Sequence, residues 1–263
     1  MKKFRKWIVV VATVLALTLI LGACSAGTSN SGSKAEKTIK IATTGVSFPG
    51  SFKEKGTLKG FDVDLAKKIA QRLGYKVKWV NTDFDGLFGQ LDSGKVDLIA
   101  SNVTVTPERS QKYYFSKPYG YFNASVVVKK NSKLEILHDL KNKTVAATIG
   151  SNNIAIMKKY DSSIKIKTFE DRDAAVGAVI NGQVDGYANS APILKALIEQ
   201  KKLPLKVLKG SAEQDHIAFT FSKTEKGKRL QKQFNNELIK LKQNGQASKI
   251  SEKYFGGEDV THK

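Results

Sequence analysis

Val96-Asp-Leu-Ile-Ala-Ser-Asn-Val-Thr-Val-Thr-Pro-Glu-Arg109 passes without a gap from an apolar run into hydroxyl-bearing residues and a helix start. The run Val96 to Ser101 reads as a short, largely buried strand. Thr106 before Pro107 reads as a helix cap: the hydroxyl accepts from the first turn, and proline gives up an amide hydrogen that would lack a partner there. Thr104 stands just before that helix and Arg109 within its first turn. A hydroxyl, exposed amide hydrogens, the positive end of the helix dipole and a guanidinium can therefore converge on one carboxylate. The same spacing also fits a surface arginine after an ordinary capped helix.

Upstream, Thr38 to Ala42 alternates as a strand should, and Gly60-Phe61-Asp62 leads into a helix with Val63, Leu65, Ala66, Ile69, Ala70 and Leu73 on its inner side, ended by Gly74. Lys76 to Val80 reads as a second strand, and Phe84 to Leu91 as a short helix stopped by Asp92-Ser93-Gly94. Together with Val96 to Ser101 this is β-α-β-α-β order, the signature of an α/β protein with parallel strands. Downstream, Thr144 to Ile149 followed by Gly150-Ser151-Asn152-Asn153 reads as strand, turn and helix start. Such a turn offers backbone amides and short polar side chains to a ligand, or is a plain glycine turn with Ser151 or Asn152 as cap.

The amino end is of another kind. Lys2, Lys3, Arg5 and Lys6 precede an apolar run from Trp7 to Leu21, and Leu21-Gly22-Ala23-Cys24 is a bacterial lipobox carrying the only cysteine of the 263 residues. Residues 1–23 are expected to be a lipoprotein signal peptide, cut before Cys24. Two acyl chains on that cysteine would hold the mature protein at the extracellular face of the cell membrane. A plain secretory signal with a chance cysteine is the alternative. Residues 24–37, rich in Ser, Gly, Ala, Thr, Asn and Lys, read as a flexible linker. The remaining residues, about 220, suffice for two lobes. One cysteine excludes a disulfide within the chain, so stability must come from packing.

The histidines, His138, His216 and His262, are scattered, and no metal-ligand spacing, nucleophile elbow, phosphate loop or dinucleotide fingerprint is present. No cofactor, metal or catalytic residue is therefore expected. Removing residues 1–23 takes away four positive charges and no acidic one, so the formal charge falls from +20 to +16. The lysines are spread out, with small groups at Lys129-Lys130, Lys158-Lys159 and Lys201-Lys202. That pattern favours low-specificity contact with anionic surfaces and, lacking a recognition motif, gives no reason to expect nucleic acid.

Gly60-Phe-Asp-Val-Asp-Leu65, Phe84-Asp-Gly-Leu87, Asp97 to Arg109, Phe115-Ser-Lys-Pro-Tyr119 and Ser251-Glu-Lys-Tyr-Phe-Gly256 resemble, in order and spacing, the landmarks of polar amino-acid substrate-binding proteins of ABC importers. Within that family the chain most resembles the cystine-type binding lipoproteins, some of which are also described as basic surface adhesins. The resemblance implies a two-lobed, type II periplasmic-binding-protein-like fold with two crossing hinge strands, near Ala124 to Val128 and His216 to Ser222. Lobe 1 would be residues 38–125 plus 218–258, and lobe 2 residues 126–217. The implied partners are an amino-acid ligand, a membrane permease and its ATPase, around a monomeric receptor.

The resemblance also implies roles residue by residue. Arg109 would grip the α-carboxylate, helped by Thr104, and Asn102 would offer its carbonyl to the α-amino group. Phe84 would wall the side-chain pocket, with Phe48 or Phe52 as a second aromatic face. Aromatic faces beside an ammonium ion contribute about 0.5–2 kcal/mol. Gly150, Ser151 and Asn152 would contact the ligand from the opposite wall. Ser190, in Asp185-Gly-Tyr-Ala-Asn-Ser190-Ala-Pro, stands where the family usually has an Asp paired with the α-amino group. Asn189, Asp83, Asp85 and Asp215 are the compensators weighed for that missing charge, and Ser190 itself also fits a helix cap. Some dehydratases share the fold, and His216 is the histidine nearest a predicted crossing strand.

The surface charge and tether together support a second reading, adhesion to mucin or collagen. If that adhesion is electrostatic, binding of the mature domain to immobilised mucin or collagen collapses as salt rises from low to a few tenths molar, where the Debye length falls well below about 10 Å. Retained binding would point to a dedicated site instead.

Overall fold

A computed structural model describes residues 37–263. The expected signal segment 1–23, Cys24 and the linker up to residue 36 lie outside the described residues. Lys37, expected as the last linker residue, is instead the first residue of a strand, because it pairs in register with Tyr75.

The first stretch runs β1 (Lys37–Thr43), β2 (Val46–Ser47), β3 (Ser51–Glu54), β4 (Thr57–Lys59), α1 (Phe61–Arg72) and β5 (Tyr75–Asn81). It continues through α2 (Gly86–Asp92), β6 (Leu98–Ile99), α3 (Pro107–Lys112) and β7 (Tyr113–Phe115). The middle stretch holds β8 (Gly120–Lys129), β9 (Thr144–Thr148), α4 (Asn153–Tyr160), β10 (Lys165–Phe169), α5 (Arg172–Ile180), β11 (Gly186–Ser190) and α6 (Ala191–Lys201). The chain ends with β12 (Leu205–Val207), β13 (Gln214–Ile217), β14 (Thr220–Ser222), α7 (Glu225–Gln243) and α8 (Gln246–Tyr254). The second helix starts at Gly86 rather than Phe84 because the Asp83 carboxylate accepts the Gly86 amide at 2.7 Å and fixes the start there. The strand expected over Val96 to Ser101 is confined to Leu98–Ile99.

Two sheets organise these elements into two α/β lobes. The first has strand order β5-β1-β6-β14-β7, with β5, β1 and β6 parallel and β14 antiparallel to both its neighbours. It therefore draws on both ends of the described chain. The second has order β10-β9-β11-β8-β12, parallel between β10, β9 and β11 and antiparallel where β8 joins. A small sheet, β2-β3-β4, borders the first.

Each lobe has its own packing, except that Ile193 and Ala196 of α6 join the first core. In the first, Leu230, Phe234, Leu238 and Leu241 repeat at helical spacing along α7 and pack with Phe219, Phe221 and Tyr119. Tyr119 stacks on Phe219 with ring centroids 4.4 Å apart. In the second, Val126 and Val128 of β8 face one cluster with Ile156 and Met157, while Val127 faces another with Tyr187 and Leu194. Alternation on opposite faces of one strand thus places an apolar layer on each side of the sheet.

The lobes are joined by β8 and β13. Residues Gly120 to Asn123 of β8 pair antiparallel with Ile217 to Gln214, and the rest of β8 goes on to pair with β11 and β12. Antiparallel to this crossing, β13 carries the chain back toward β14 of the first sheet.

Candidate ligand-binding site between the two sheets

One cavity is walled by residues of both lobes, among them Asn102, Thr104 and Arg109 from the first and Ser151, Asn152 and Ser190 from the second. Its floor on the first side is built by main-chain contacts. Phe61 donates its amide to Pro49 and Asp62 to Gly50, at 2.9 and 3.0 Å. Gly60 lies at φ 132°, and a Cβ there would stand 2.2 Å from the Gly50 carbonyl oxygen, so only glycine permits the approach.

That approach buries Asp62, which is 2% exposed and lines the cavity. Its carboxylate accepts the Tyr119 hydroxyl at 2.9 Å and the amide of Asn102. Burial outweighs both bonds and pushes the carboxyl up to about 6. Asn102 takes the left-handed conformation, φ 51°, which asparagine tolerates better than most residues. Asp62 thereby holds the turn that leads from β6 to Thr104.

Thr106 caps α3 as its sequence suggests, accepting the Arg109 amide at 3.1 Å. The helix is only six residues long, so the guanidinium rather than a helix dipole carries the local positive charge. Arg109 donates to the Thr104 carbonyl at 3.0 Å and, across to the other lobe, to the Gly150 carbonyl at 2.8 Å. Its guanidinium carbon stands 5.1 Å from the ring centre of Phe88 and 5.9 Å from that of Phe84. Burial lowers its pKa from the ordinary arginine value, and Asp215 is the leading charge opposing that shift.

A second arginine reaches the opposite way. Arg172, the first residue of α5, is 7% exposed, lines the cavity, and donates to the carbonyls of Phe48 and Val46 in the first lobe. Its pKa too is lowered by burial. Nothing local marked it in the sequence: beside Asp171, which caps α5 by accepting the Ala174 amide at 2.8 Å, it reads as an ordinary surface charge. Its role depends on which segment of the other lobe it meets.

Seven of the residues given a ligand role from the sequence line the cavity, Phe84, Asn102, Thr104, Arg109, Ser151, Asn152 and Ser190, and so do three of the four compensators weighed, Asp83, Asn189 and Asp215. Gly150 contributes by its carbonyl alone. It sits at φ +73°, and a Cβ on it would lie 2.8 Å from the Asp85 carboxylate of the facing lobe. Phe48 and Phe52 do not line the cavity. Their rings meet edge to face at 5.0 Å and pack on the first core, with Phe52 also against Tyr254, because that burial removes apolar area from water. Ser190 occupies the position before α6, 2% exposed, and its hydroxyl makes no capping bond.

Several buried polar atoms of the cavity wall have no partner in the protein: Thr44 Oγ1, Asn102 Oδ1, Ser151 Oγ, Asn153 Oδ1 and Arg172 Nε. Buried polar atoms are nearly always paired, so a wall carrying several suits a polar solute. Among the described residues, no group of three His, Cys, Asp or Glu side chains is arranged to hold a metal ion.

A polar cavity enclosed by two α/β lobes and carrying charges of both signs defines a protein that holds a small solute between its lobes. The chain belongs to the bacterial extracellular solute-binding proteins, family 3, matching that family over residues 39–257. It is 40% identical over 262 residues to the probable amino-acid-binding protein YxeM of Bacillus subtilis (strain 168), covering 98% of each chain. It is 31% identical over 257 residues to the L-cystine-binding protein TcyA of the same organism, covering 92% of this chain and 94% of that one. Its fold is similar to that of an ancestral arginine-binding protein bound to glutamine, with TM-score 0.77, 33% identity, and coverage of 83% of this chain and 98% of the other. The type II binding-protein architecture expected from the sequence is the one observed.

The raised carboxyl of Asp62 has a measurable consequence. Its folded-state value of about 6 lies above the ordinary 3.8, so the folded protein binds the extra proton between those values and loses stability as pH rises through them. Asp62→Asn removes this charge. Relative to the wild type, the variant should gain stability from pH 4 to 7, by up to roughly 3 kcal/mol, in urea unfolding followed at each pH.

Proposed function

We propose that this solute-binding protein is the lipid-anchored receptor of an ABC importer. It captures a polar amino acid, with a cystine-like ligand as the leading candidate, and delivers it to a membrane permease driven by an ATPase. The observation that carries this reading is Arg109: a partly buried guanidinium in the cavity wall, held at its root by the Thr104 carbonyl and reaching the Gly150 carbonyl of the facing lobe. A guanidinium so held is suited to a carboxylate, which it binds bidentately. The names of YxeM and TcyA support an amino acid, and TcyA a cystine-like one.

In this reading Thr104 joins Arg109 on the α-carboxylate, Asn102 serves the α-amino group, Phe84 walls the side-chain space, and Ser151, Asn152 and Ser190 complete the opposite side. The lobes, residues 38–125 with 218–258 and residues 126–217, turn about the paired segments of β8 and β13. Ligand drives closure only in so far as it binds the closed form better than the open one. The protein acts as a monomer and does no chemistry on its ligand. His216 packs edge-on against Tyr121 at 5.3 Å rather than lining the cavity, so it is no proton-transfer group there. The +16 charge of the processed chain favours adhesion as an additional surface property, separate from the cavity.

A thermal-shift screen of the domain from residue 34 against all amino acids, cystine, small peptides and organic acids tests the reading; a strong shift with an amino acid supports it, and silence with all of them defeats it. Arg109→Ala should then bind the hit about 10–150-fold more weakly by calorimetry, the loss expected for a charge-assisted pair. Undiminished affinity would remove Arg109 from the site. The anchor is tested separately: cells fed labelled palmitate should label the wild type and not Cys24→Ser, while an unlabelled wild type would refute lipidation at Cys24.

A further inference from the structure

An amino acid carries its two charged groups on one carbon, so a site for its carboxylate needs a negative group close by for its ammonium. Ser190 supplies no charge. Of the carboxylates lining the cavity, Asp83, Glu170 and Asp171 are exposed to solvent and only Asp62 and Asp215 are buried. Asp62 is committed to the Tyr119 hydroxyl and the Asn102 amide. Asn189 is uncharged and engaged on both sides, donating to the Tyr187 hydroxyl at 2.6 Å and accepting the Ser190 amide at 2.7 Å. Asp85 does not line the cavity.

Asp215 remains, 4% exposed, on the strand that joins the lobes. An antiparallel bridge from Thr104 to Ile217 and a 2.8 Å bond from the Val105 amide to the His216 carbonyl lay that strand against the segment leading to Arg109. Thr104 then serves both charges: its carbonyl accepts from Arg109 and its hydroxyl bonds Asp215, which Asn152 bonds from the other lobe. Among the described residues Arg109 and Asp215 form no ion pair with each other, although both line the same cavity.

We propose, building on the amino-acid reading above, that Asp215 is the acceptor for the ligand's α-ammonium group and replaces the charge that Ser190 lacks. Arg109, Thr104 and Asp215 then form one site for a zwitterion at the root of the crossing strands, and the specificity it confers is for ligands with a free α-ammonium. The charged groups facing Asp215 are Arg109 from α3 and Glu213, just ahead of it in the chain. Glu213 is itself paired with Lys159 at 3.0 Å. Burial foremost, with Glu213 adding to it, pushes the Asp215 carboxyl up to about 6 against the bonds from Asn152 and Thr104 and the charge of Arg109, the condition of a carboxylate short of a cation.

The test is calorimetry of wild type and Asp215→Asn with L-cystine, L-arginine and L-glutamine, each beside its desamino analogue: dithiodipropionate, guanidinovalerate and glutaramate. The amino acid that binds the wild type should lose about 10–100-fold in the variant, while its desamino analogue changes by less than about threefold. Equal affinity of both proteins for the amino acid, or equal loss for amino acid and analogue, would overturn the assignment and leave the amino-acid reading standing. A wild type that binds analogues but no amino acid would defeat that reading itself. A measurement on the unaltered protein guards against a variant that fails to fold. The ratio of amino-acid to analogue affinity should fall by up to about tenfold per pH unit below about 6. A ratio flat in pH would again exclude Asp215.

Discussion

Two side-by-side strands carry the chain from one sheet to the other and back, and the arrangement of the cavity depends on that pairing. Because β8 continues unbroken into the second sheet after its pairing with β13, the two lobes are tied through ladder hydrogen bonds, to which α6 adds Ile193 and Ala196 packed into the first core. Apart from those two residues, each lobe packs its own clusters. The facing surfaces are lined mostly by polar residues, with Val46, Phe84 and Ile193 among them, and the orphaned hydroxyl, amide and guanidine atoms of the wall collect there. Packing of this kind makes each lobe a firm body and leaves the space between them as the place where chemistry with a solute can occur.

The charges in that space follow from the same geometry. Arg109 and Arg172 come from opposite lobes and each reaches main-chain carbonyl oxygen of the other, and among the described residues neither has a carboxylate at ion-pair distance. The buried acids are held in a similar condition: Asp62 by a tyrosine and an amide, Asp215 by a threonine and an asparagine, with desolvation dominating both. A cavity in which both signs are buried and incompletely compensated favours a small molecule that brings both signs with it.

Much of this was legible in the sequence, for identifiable reasons. Strand and helix periods, the Thr106-Pro107 cap and the glycine stops are local signals, and the helices and strands of the first lobe lie within a few residues of where those signals put them. The motif around Asn102, Thr104 and Arg109 was legible because one short segment supplies all three. Phe48 and Phe52 could not be settled that way: an aromatic residue looks the same whether it faces a ligand or a core, and here α8 and Tyr254 cover them. Arg172 was invisible because its significance rests on the segment Val46 to Phe48, over a hundred residues away in the chain. Asp215 was one of several acids of equal standing until burial separated it from Asp83 and Asp85.

The contacts that bridge the lobes are unequal in what they ask of evolution. On the receiving side, Val46, Phe48 and Gly150 offer only carbonyl oxygens, which every amino acid possesses, so drift in the side chains at 46 and 48 leaves those acceptors in place. Gly150 is the exception, since any side chain there would meet Asp85 and would have to adopt a left-handed backbone. Around the two arginine donors, the accepting segments can therefore diversify their side chains while keeping the same mutual fit, with Gly150 as the point at which that freedom ends.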